Sequence, residues 1–308
     1  MPTYALLGAT GSTGYAILRS LIAHPPAQLT LNIFVRSRSK LLTAFPTLES
    51  SSTGFKVQIF EAQAGDPAAT RACLADVDVV MACIGTNYST AGMTISYDTA
   101  ASIVDALKLH RKAKGAAHKA PTVLQLRTIS LNPIFKAGVP WIGQKLVGFC
   151  LYYVYDDLDR ACKLYASSAA ETPGLLHYIY VDPPSIHDSE GTTPTGYKLL
   201  LDGKVDEALS YSDLGAAFCE LAERRDEFAG KAVGVSPTGP VKQTMGKLVG
   251  YIASGAKGRI LGRVMIHQTL SVAVLQREMN SPATCSALRD PAECLSPMND
   301  AFLSTQII

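Results

Sequence analysis

The sequence has almost no excess of charge: 28 Lys and Arg against 26 Asp and Glu leave a formal +2 at neutral pH. So small an excess offers no electrostatic footprint for nucleic acid, and no nucleic-acid partner is expected. Paired cysteine motifs are also absent. The seven cysteines, at 73, 83, 150, 162, 219, 285 and 294, include no CxxC and no histidine at ligand spacing, so no metal centre is expected. Their number is odd and the first five sit in apolar stretches, which reads as buried free thiols in a reducing compartment. Cys285 and Cys294 lie in a tail rich in Pro and Ser, where they can pair or stay free. No apolar run reaches the ~18 residues needed to cross a bilayer. The chain opens on a strand-like Tyr4-Ala5-Leu6-Leu7 with no secretory signal, so the cytosol is the expected location. Against these absences stand 308 residues that are 47% hydrophobic and 18% charged, enough for one large core or two modest ones.

The apolar segments alternate in type as a chain of βαβ units requires. Strands are expected at Thr3–Leu7, Leu29–Val35, Phe55–Phe60, Val77–Cys83, Thr122–Leu126, Leu176–Val181 and Lys231–Val235. Helical spacing covers Thr13–His24, Ser39–Phe45, Asp66–Leu74 and Tyr97–Leu109, then a long Ile142–Ser167 and a Tyr211–Arg224 capped by Ser212 or Asp213. The expected class is α/β: a Rossmann-type, doubly wound parallel sheet with a small substrate-binding portion. Residues 1–238 form this domain, with substrate-covering insertions after strands five and six. Residues 239–308 are read as a basic helical extension and a loose tail.

Gly8-Ala9-Thr10-Gly11-Ser12-Thr13-Gly14 stands directly between the first strand and the first helix. A bare glycine pattern is weak, but this context is what a dinucleotide site requires. Gly8 permits the tight turn, Gly11 lets the backbone approach a pyrophosphate, and Gly14 lets the helix pack on the sheet. The N–H groups opening the helix, around Thr10, Ser12 and Thr13, then face the phosphates, aided by the helix dipole. A glycine-rich connection without ligand is the alternative.

The end of the second strand lacks an acid. An NAD site usually places Asp or Glu there to accept from the ribose 2′-hydroxyl. Here Arg36, Arg38 and Lys40 follow, and a guanidinium can grip a 2′-phosphate with two parallel bonds. NADP(H) is therefore the expected cofactor, with a plain basic loop as the competing reading. Asp66, after the third strand, can accept from the adenine amine or simply cap a helix. Gly85, Thr86 and Asn87, after the fourth, can line the ribose or form an ordinary turn.

The opening GATGSTG, the VRSRSKL after the second strand and the late SYSDLGAAFCELAE resemble the NmrA-like group of atypical short-chain dehydrogenases. Within it they resemble most the averufin-oxidase-like oxidoreductases of fungal polyketide pathways. The resemblance covers about Pro2 to Pro237 and implies a Ser or Thr after strand five, with a Tyr and a Lys four residues later. In that family the Tyr exchanges a proton with the substrate oxygen while hydride moves at the nicotinamide. Thr128 and Ser130 match the first position, and Tyr152, Tyr153 and Tyr155 fall where the Tyr belongs. The Lys is missing. Four residues beyond these tyrosines stand Asp156, Asp157 and Asp159, and Lys163 follows Tyr155 by eight residues, about 12 Å along a helix. Tyr153 is the preferred proton donor. Tyr155, Asp156 and His187, in a loop expected to overhang the nicotinamide, are the other acid–base candidates, each with a bland alternative as packing or surface residue.

From residue 231 to 277 there is no Asp or Glu, but seven Lys and Arg, apolar residues at helical spacing, and glycines four apart at 246 and 250 and at 258 and 262. These helices can cover the substrate pocket, form a homodimer face or lie on an acidic membrane. The lid or packing role is favoured. The leading function is an NADP(H)-dependent oxidoreductase acting on a small, largely apolar, aromatic or polyketide-derived carbonyl or alcohol. The alternatives are a redox-neutral isomerase, dehydratase or cyclase, or an NADP-sensing regulator without catalysis, because a fold alone cannot separate them.

Overall fold

Tyr4 and Leu6 point to one face of the first strand and Ala5 and Leu7 to the other, and all four are at most 2% exposed. A strand buried on both faces belongs in the middle of a sheet covered on both sides, and that is where this one lies. The computed structural model describes residues 1–50, 54–86, 88–137, 140–242, 250 and 252–260. Seven parallel strands and one antiparallel edge strand form its main sheet.

These are β1 (Thr3–Leu7), β2 (Thr30–Val35), β3 (Lys56–Glu61), β4 (Val79–Ala82), β5 (Thr122–Leu126), β6 (His177–Asp182), β8 (Tyr197–Leu200) and β10 (Ala232–Pro237). Their order across the sheet is β3-β2-β1-β4-β5-β6-β10-β8, with β8 the antiparallel edge. A separate parallel pair joins β7 (Ser185–His187) to β9 (Ala208–Ser210). One face of the sheet is covered by α1 (Ser12–Ala23), α2 (Arg38–Ala44) and α8 (Tyr211–Glu223). The other is covered by α3 (Pro67–Cys73), α4 (Ile95–Lys114) and α7 (Tyr152–Glu171). Two short helices, α5 (Pro133–Lys136) and α6 (Trp141–Cys150), lead into α7, and α9 (Arg225–Phe228) leads into β10. This is the expected Rossmann-type sheet.

The order reverses between β1 and β4, so the carboxyl ends of these adjacent parallel strands open a crevice, the usual ligand position in such sheets. Helix α8 closes tightly on α1 because Gly215 has no side chain: a Cβ there would stand 2.6 Å from the Ala16 carbonyl. Its N-cap is Ser210, whose Oγ accepts from Asp213 N, in place of the expected Ser212 or Asp213. Asp213 is turned inward, accepting from the backbone of Thr195 and Gly196.

Three expectations from the sequence are corrected. The single helix expected over 142–167 is two, α6 and α7, because Leu151 leaves helical geometry at φ −99°, ψ 19°. The short strands β7, β8 and β9 have no counterpart among the expected strands, since three or four residues carry no readable alternation. His187 lies in no surface loop: it is 4% exposed, in β7 opposite Ser210.

The first five cysteines are free thiols, three of them buried. Burial pushes the thiols of Cys73, Cys162 and Cys219 up to about 12, which keeps them protonated and unreactive. Among the described residues no helix can cross a membrane and no cluster of His, Cys, Asp and Glu can hold a metal. The chain divides into two compact units, Met1–Arg259 and Ile260–Ile308. Residues 252–260 are helical, and 252–259 of them fall within the unit that carries the sheet. Cys285 and Cys294 fall outside the described residues.

Candidate active site

The glycine turn is built as a cradle. Gly8 sits at φ +94°, and a Cβ on it would meet the Cys83 carbonyl at 2.9 Å, so the turn presses against the end of β4. At Gly14 a Cβ would stand 2.2 Å from the Gly8 carbonyl, which ties the first turn of α1 to the end of β1. Gly11 is the N-cap of α1, with no side chain capping the helix and no acid in its first turn. The helix start at Ser12, Thr13 and Gly14, with Thr10 before it, thus has no side-chain cap and could receive an anion. Beyond the end of β4, a Cβ at Gly85 would meet nothing within 4 Å, so the crevice wall is bare backbone there. An uncapped helix start beside two close-lying glycine turns suits a dinucleotide pyrophosphate.

The basic loop divides its charges. Arg36, just past β2, is exposed and forms no ion pair among the described residues. Arg38 pairs instead with Glu49. Lys40 donates its backbone N–H to Ser37 Oγ, capping α2, and its ammonium forms no ion pair among the described residues. Asp66 caps α3 by accepting from Ala69 N at 2.9 Å, the plainer of its two expected roles. Thr86 Oγ1 accepts from Tyr88 N at 3.1 Å. Asn87 lies outside the described residues. Among the described residues Arg36 and Lys40 are thus the two of the three whose side-chain charge is unpaired, and Arg36 is the one nearer the strand end where a 2′-phosphate would sit. Arg36→Ala is expected to weaken NADPH binding by about 1.5–3 kcal/mol and to leave NADH nearly unchanged, as titration of both cofactors would report. Equal losses for both would remove Arg36 from that role.

At the end of β5 the chain turns through Thr128, whose Oγ1 accepts from Ser130 N at 3.3 Å. Across from this turn, Tyr155 Oη donates to Ser130 Oγ at 3.3 Å. Burial raises the Tyr155 hydroxyl above its usual range, and hydrogen bonds with Ser130 and Thr128 oppose that rise. The structure thus brings together Tyr155, Ser130 and Thr128. It does not bring Tyr153 to them. Two residues along an α-helix turn a side chain by about 200°, so Tyr153 and Tyr155 leave α7 on opposite sides. Tyr153 donates its backbone N–H to Ser89 Oγ, and among the described residues its buried hydroxyl has no partner.

The acids near the tyrosines have other work. Asp156 is exposed. Asp157 is 1% exposed and accepts from Ser96 N at 2.7 Å and Tyr97 N at 3.1 Å, capping α4 from a distant helix. Asp159 pairs with Lys163 at 2.5 Å on the surface, so that lysine is not at Tyr155.

An ion pair that sequence reasoning did not single out lies beneath the site. Arg127 Nε and a terminal nitrogen donate to the two carboxylate oxygens of Asp182 at 2.7 and 2.6 Å, joining the ends of β5 and β6. Asn132 Nδ2 adds a third bond at 2.9 Å, and Asp182 is fully buried. The Arg127 guanidinium also covers the Tyr180 ring at 4.6 Å. Burial pushes the Asp182 carboxyl up, while Arg127 and Asn132 pull it back. The signal available in the sequence was an Arg and an Asp each one residue past an apolar strand, and only strand order shows that they meet.

Residues 8–224 match a family model described as NAD(P)H-binding. Averufin oxidase A of Dothistroma septosporum is 48% identical over 264 residues, covering 84% of this chain and 92% of its own. Averufin oxidase A of Aspergillus flavus is 43% identical, covering 86% and 93%. Averufin oxidase stcO of Emericella nidulans is 44% identical, covering 84% and 90%. A short-chain dehydrogenase/reductase from Veillonella parvula, solved in complex with NADP, superposes with a TM-score of 0.56 at 19% identity, covering 77% of this chain and 95% of that one. That last likeness concerns the fold alone. With a family model spanning most of the sheet and relatives matched along nearly their whole length, the chain belongs to the NAD(P)H-binding, Rossmann-type family of short-chain-dehydrogenase-like oxidoreductases, in the group that includes the averufin oxidases.

Proposed function

We propose that the chain is an NADP(H)-dependent oxidoreductase acting on a carbonyl or alcohol of an apolar aromatic polyketide of the averufin kind. The observation that carries this reading is the Tyr155–Ser130 hydrogen bond at the carboxyl end of β5, in a sheet whose first helix starts uncapped at its glycine turn, as a dinucleotide requires. The names of the related proteins support the substrate class, and the exposed Arg36 supports the phosphorylated cofactor. The residues that would hold the cofactor are Gly8 to Gly14, Arg36 and the Gly85–Thr86 turn. When bound, the nicotinamide supplies or accepts the hydride.

The chain's own residues handle the proton and the oxygen. Ser130 and Thr128 position the Tyr155 hydroxyl and offer a hydrogen bond to the substrate oxygen. Tyr155, held neutral by burial, donates its proton to that oxygen as negative charge develops there, and takes it back in the reverse direction. Averufin mixed with the protein and either NADP⁺ or NADPH should change the nicotinamide absorbance in step with product. Because Asp159 stands where the family's lysine belongs, a redox-neutral reaction is the competing reading. Turnover with constant nicotinamide absorbance would establish it and refute ours.

A further inference from the structure

Helix α6 reverses the usual arrangement of a surface helix. Trp141, Ile142 and Leu146 are 69%, 64% and 50% exposed, while its less exposed positions include Gly143, Gln144, Gly148 and Cys150. At 100° per residue, Trp141, Lys145, Ile142 and Leu146 fall within one arc of about 140°, with the half-buried Phe149 inside it. They form a single apolar face with a lysine in it. Gln144 Nε2 donates to the Lys136 carbonyl at 2.9 Å, which holds a second exposed lysine beside the first turn. At the other end, a Cβ at Gly255 would stand 2.2 Å from the Cys150 carbonyl, so helix 252–260, with its exposed Lys257, packs on the end of α6. Between Asp105 and Asp156 the chain has no Asp or Glu, and it has none from 231 to 277. The charge on and beside this face is positive.

That sign selects the occupant. A second copy of the same face would bring lysine to lysine across a two-fold axis. Residues 261–277 of the same chain carry Arg263 and Arg277 and no acid, so they match the face no better. A surface of acidic lipid offers the complementary charge with an apolar layer beneath it. A helix face that combines Trp, aliphatic residues and lysine has the composition that lies in such an interface. We propose that α6 docks the protein on an acidic membrane surface, with Trp141, Ile142 and Leu146 entering the headgroup boundary and Lys136 and Lys145 facing the anionic headgroups. Among the described residues no helix is long and apolar enough to cross a membrane, so this contact is peripheral. Helices α5 and α6 lie in the segment that joins Ser130 to Tyr155, the two groups of the proposed site. An apolar substrate dissolved in the bilayer would then be held on the side of the protein where that segment lies. The docking itself does not depend on which reaction the site performs.

Trp141 is the chain's one tryptophan, so its emission reports directly on this face. The test is to mix the full chain with vesicles of phosphatidylcholine alone and of phosphatidylcholine and phosphatidylserine in equal parts, following co-sedimentation and tryptophan emission. The acidic vesicles are expected to bind the chain about tenfold or more tightly than the neutral ones, with a blue shift of Trp141 and quenching by brominated lipid. Ile142→Ser combined with Leu146→Ser keeps the tryptophan and should weaken binding about tenfold or more, with the melting temperature unchanged. Lys136→Glu combined with Lys145→Glu should erase the preference for acidic vesicles. No binding to the acidic vesicles, equal binding to both kinds, or binding with no change at Trp141 overturns the proposal. A wild type that is dimeric by gel filtration, with the double serine variant monomeric, overturns it too and assigns the face to a second copy.

Discussion

Tyr155→Phe is expected to lower turnover by ~10²-fold or more with NADPH affinity unchanged, because general acid catalysis contributes that much and the ring itself stays in place. The lost bond to Ser130 spans 3.3 Å and costs stability only about 1 kcal/mol. Tyr153→Phe is the contrasting variant. It removes a hydroxyl that has no partner among the described residues, so turnover should stay near that of the wild type. The reverse pattern, a large loss in Tyr153→Phe with Tyr155→Phe near wild type, would return the proton to Tyr153.

The pH profile follows from the same geometry. Burial holds the Tyr155 hydroxyl above the ordinary value of 10.0, and the opposing bonds to Ser130 and Thr128 only partly offset this. In the proposed reaction the protonated phenol is the donor for reduction, so the reductive rate should be flat through neutral pH and fall only above about pH 10 as the proton leaves. Oxidation needs the proton acceptor, so its rate should rise over the same alkaline range. A reductive rate already falling below about pH 8 would assign the proton to another group. The missing lysine has a consequence here: with Asp159 one turn away in its place, nothing in this helix pulls the tyrosine toward the neutral range.

Asp182→Ala is expected to destabilise the fold by about 3–5 kcal/mol, measured as a shift in the urea midpoint. Asp182 is fully buried and receives two bonds from Arg127 and one from Asn132, so its removal strands a guanidinium in the interior. The single deletion costs more than the pair contributes. A double replacement, Arg127→Met with Asp182→Leu, should therefore be less destabilised than Asp182→Ala alone. A double variant as unstable as the single would mean that the bonds themselves, and not the stranded charge, hold these strand ends together. Because Ile129 N donates to the Pro183 carbonyl in the same place, either loss should also loosen the turn that carries Thr128 and Ser130.

Determinants that act between neighbours in the chain were readable in order. The strand Thr3–Leu7, the glycines at 8, 11 and 14 and the helix after them are one continuous stretch, and the close packing at Gly8 and Gly14 follows from it. The strands Thr3–Leu7 and Thr122–Leu126 and the position of Arg36 were legible for the same reason. A residue's partner across the fold was not. Asp156, Asp157 and Asp159 look alike in the sequence, yet one is exposed, one caps α4 about sixty positions away, and one holds a surface lysine.

The sequence by itself determined the class of sheet, the place of the glycine turn and the basic residue after the second strand, because periodicity and turn chemistry are local. The tertiary structure alone decided which of three tyrosines reaches Ser130, that Arg127 and Asp182 share a buried bond network, and that a helix near the C-terminus lies on Tyr152 and Tyr153. A break at Leu151 sets the rotation of α7, and strand order sets which ends are adjacent, and neither is encoded in the few residues around any one of these side chains.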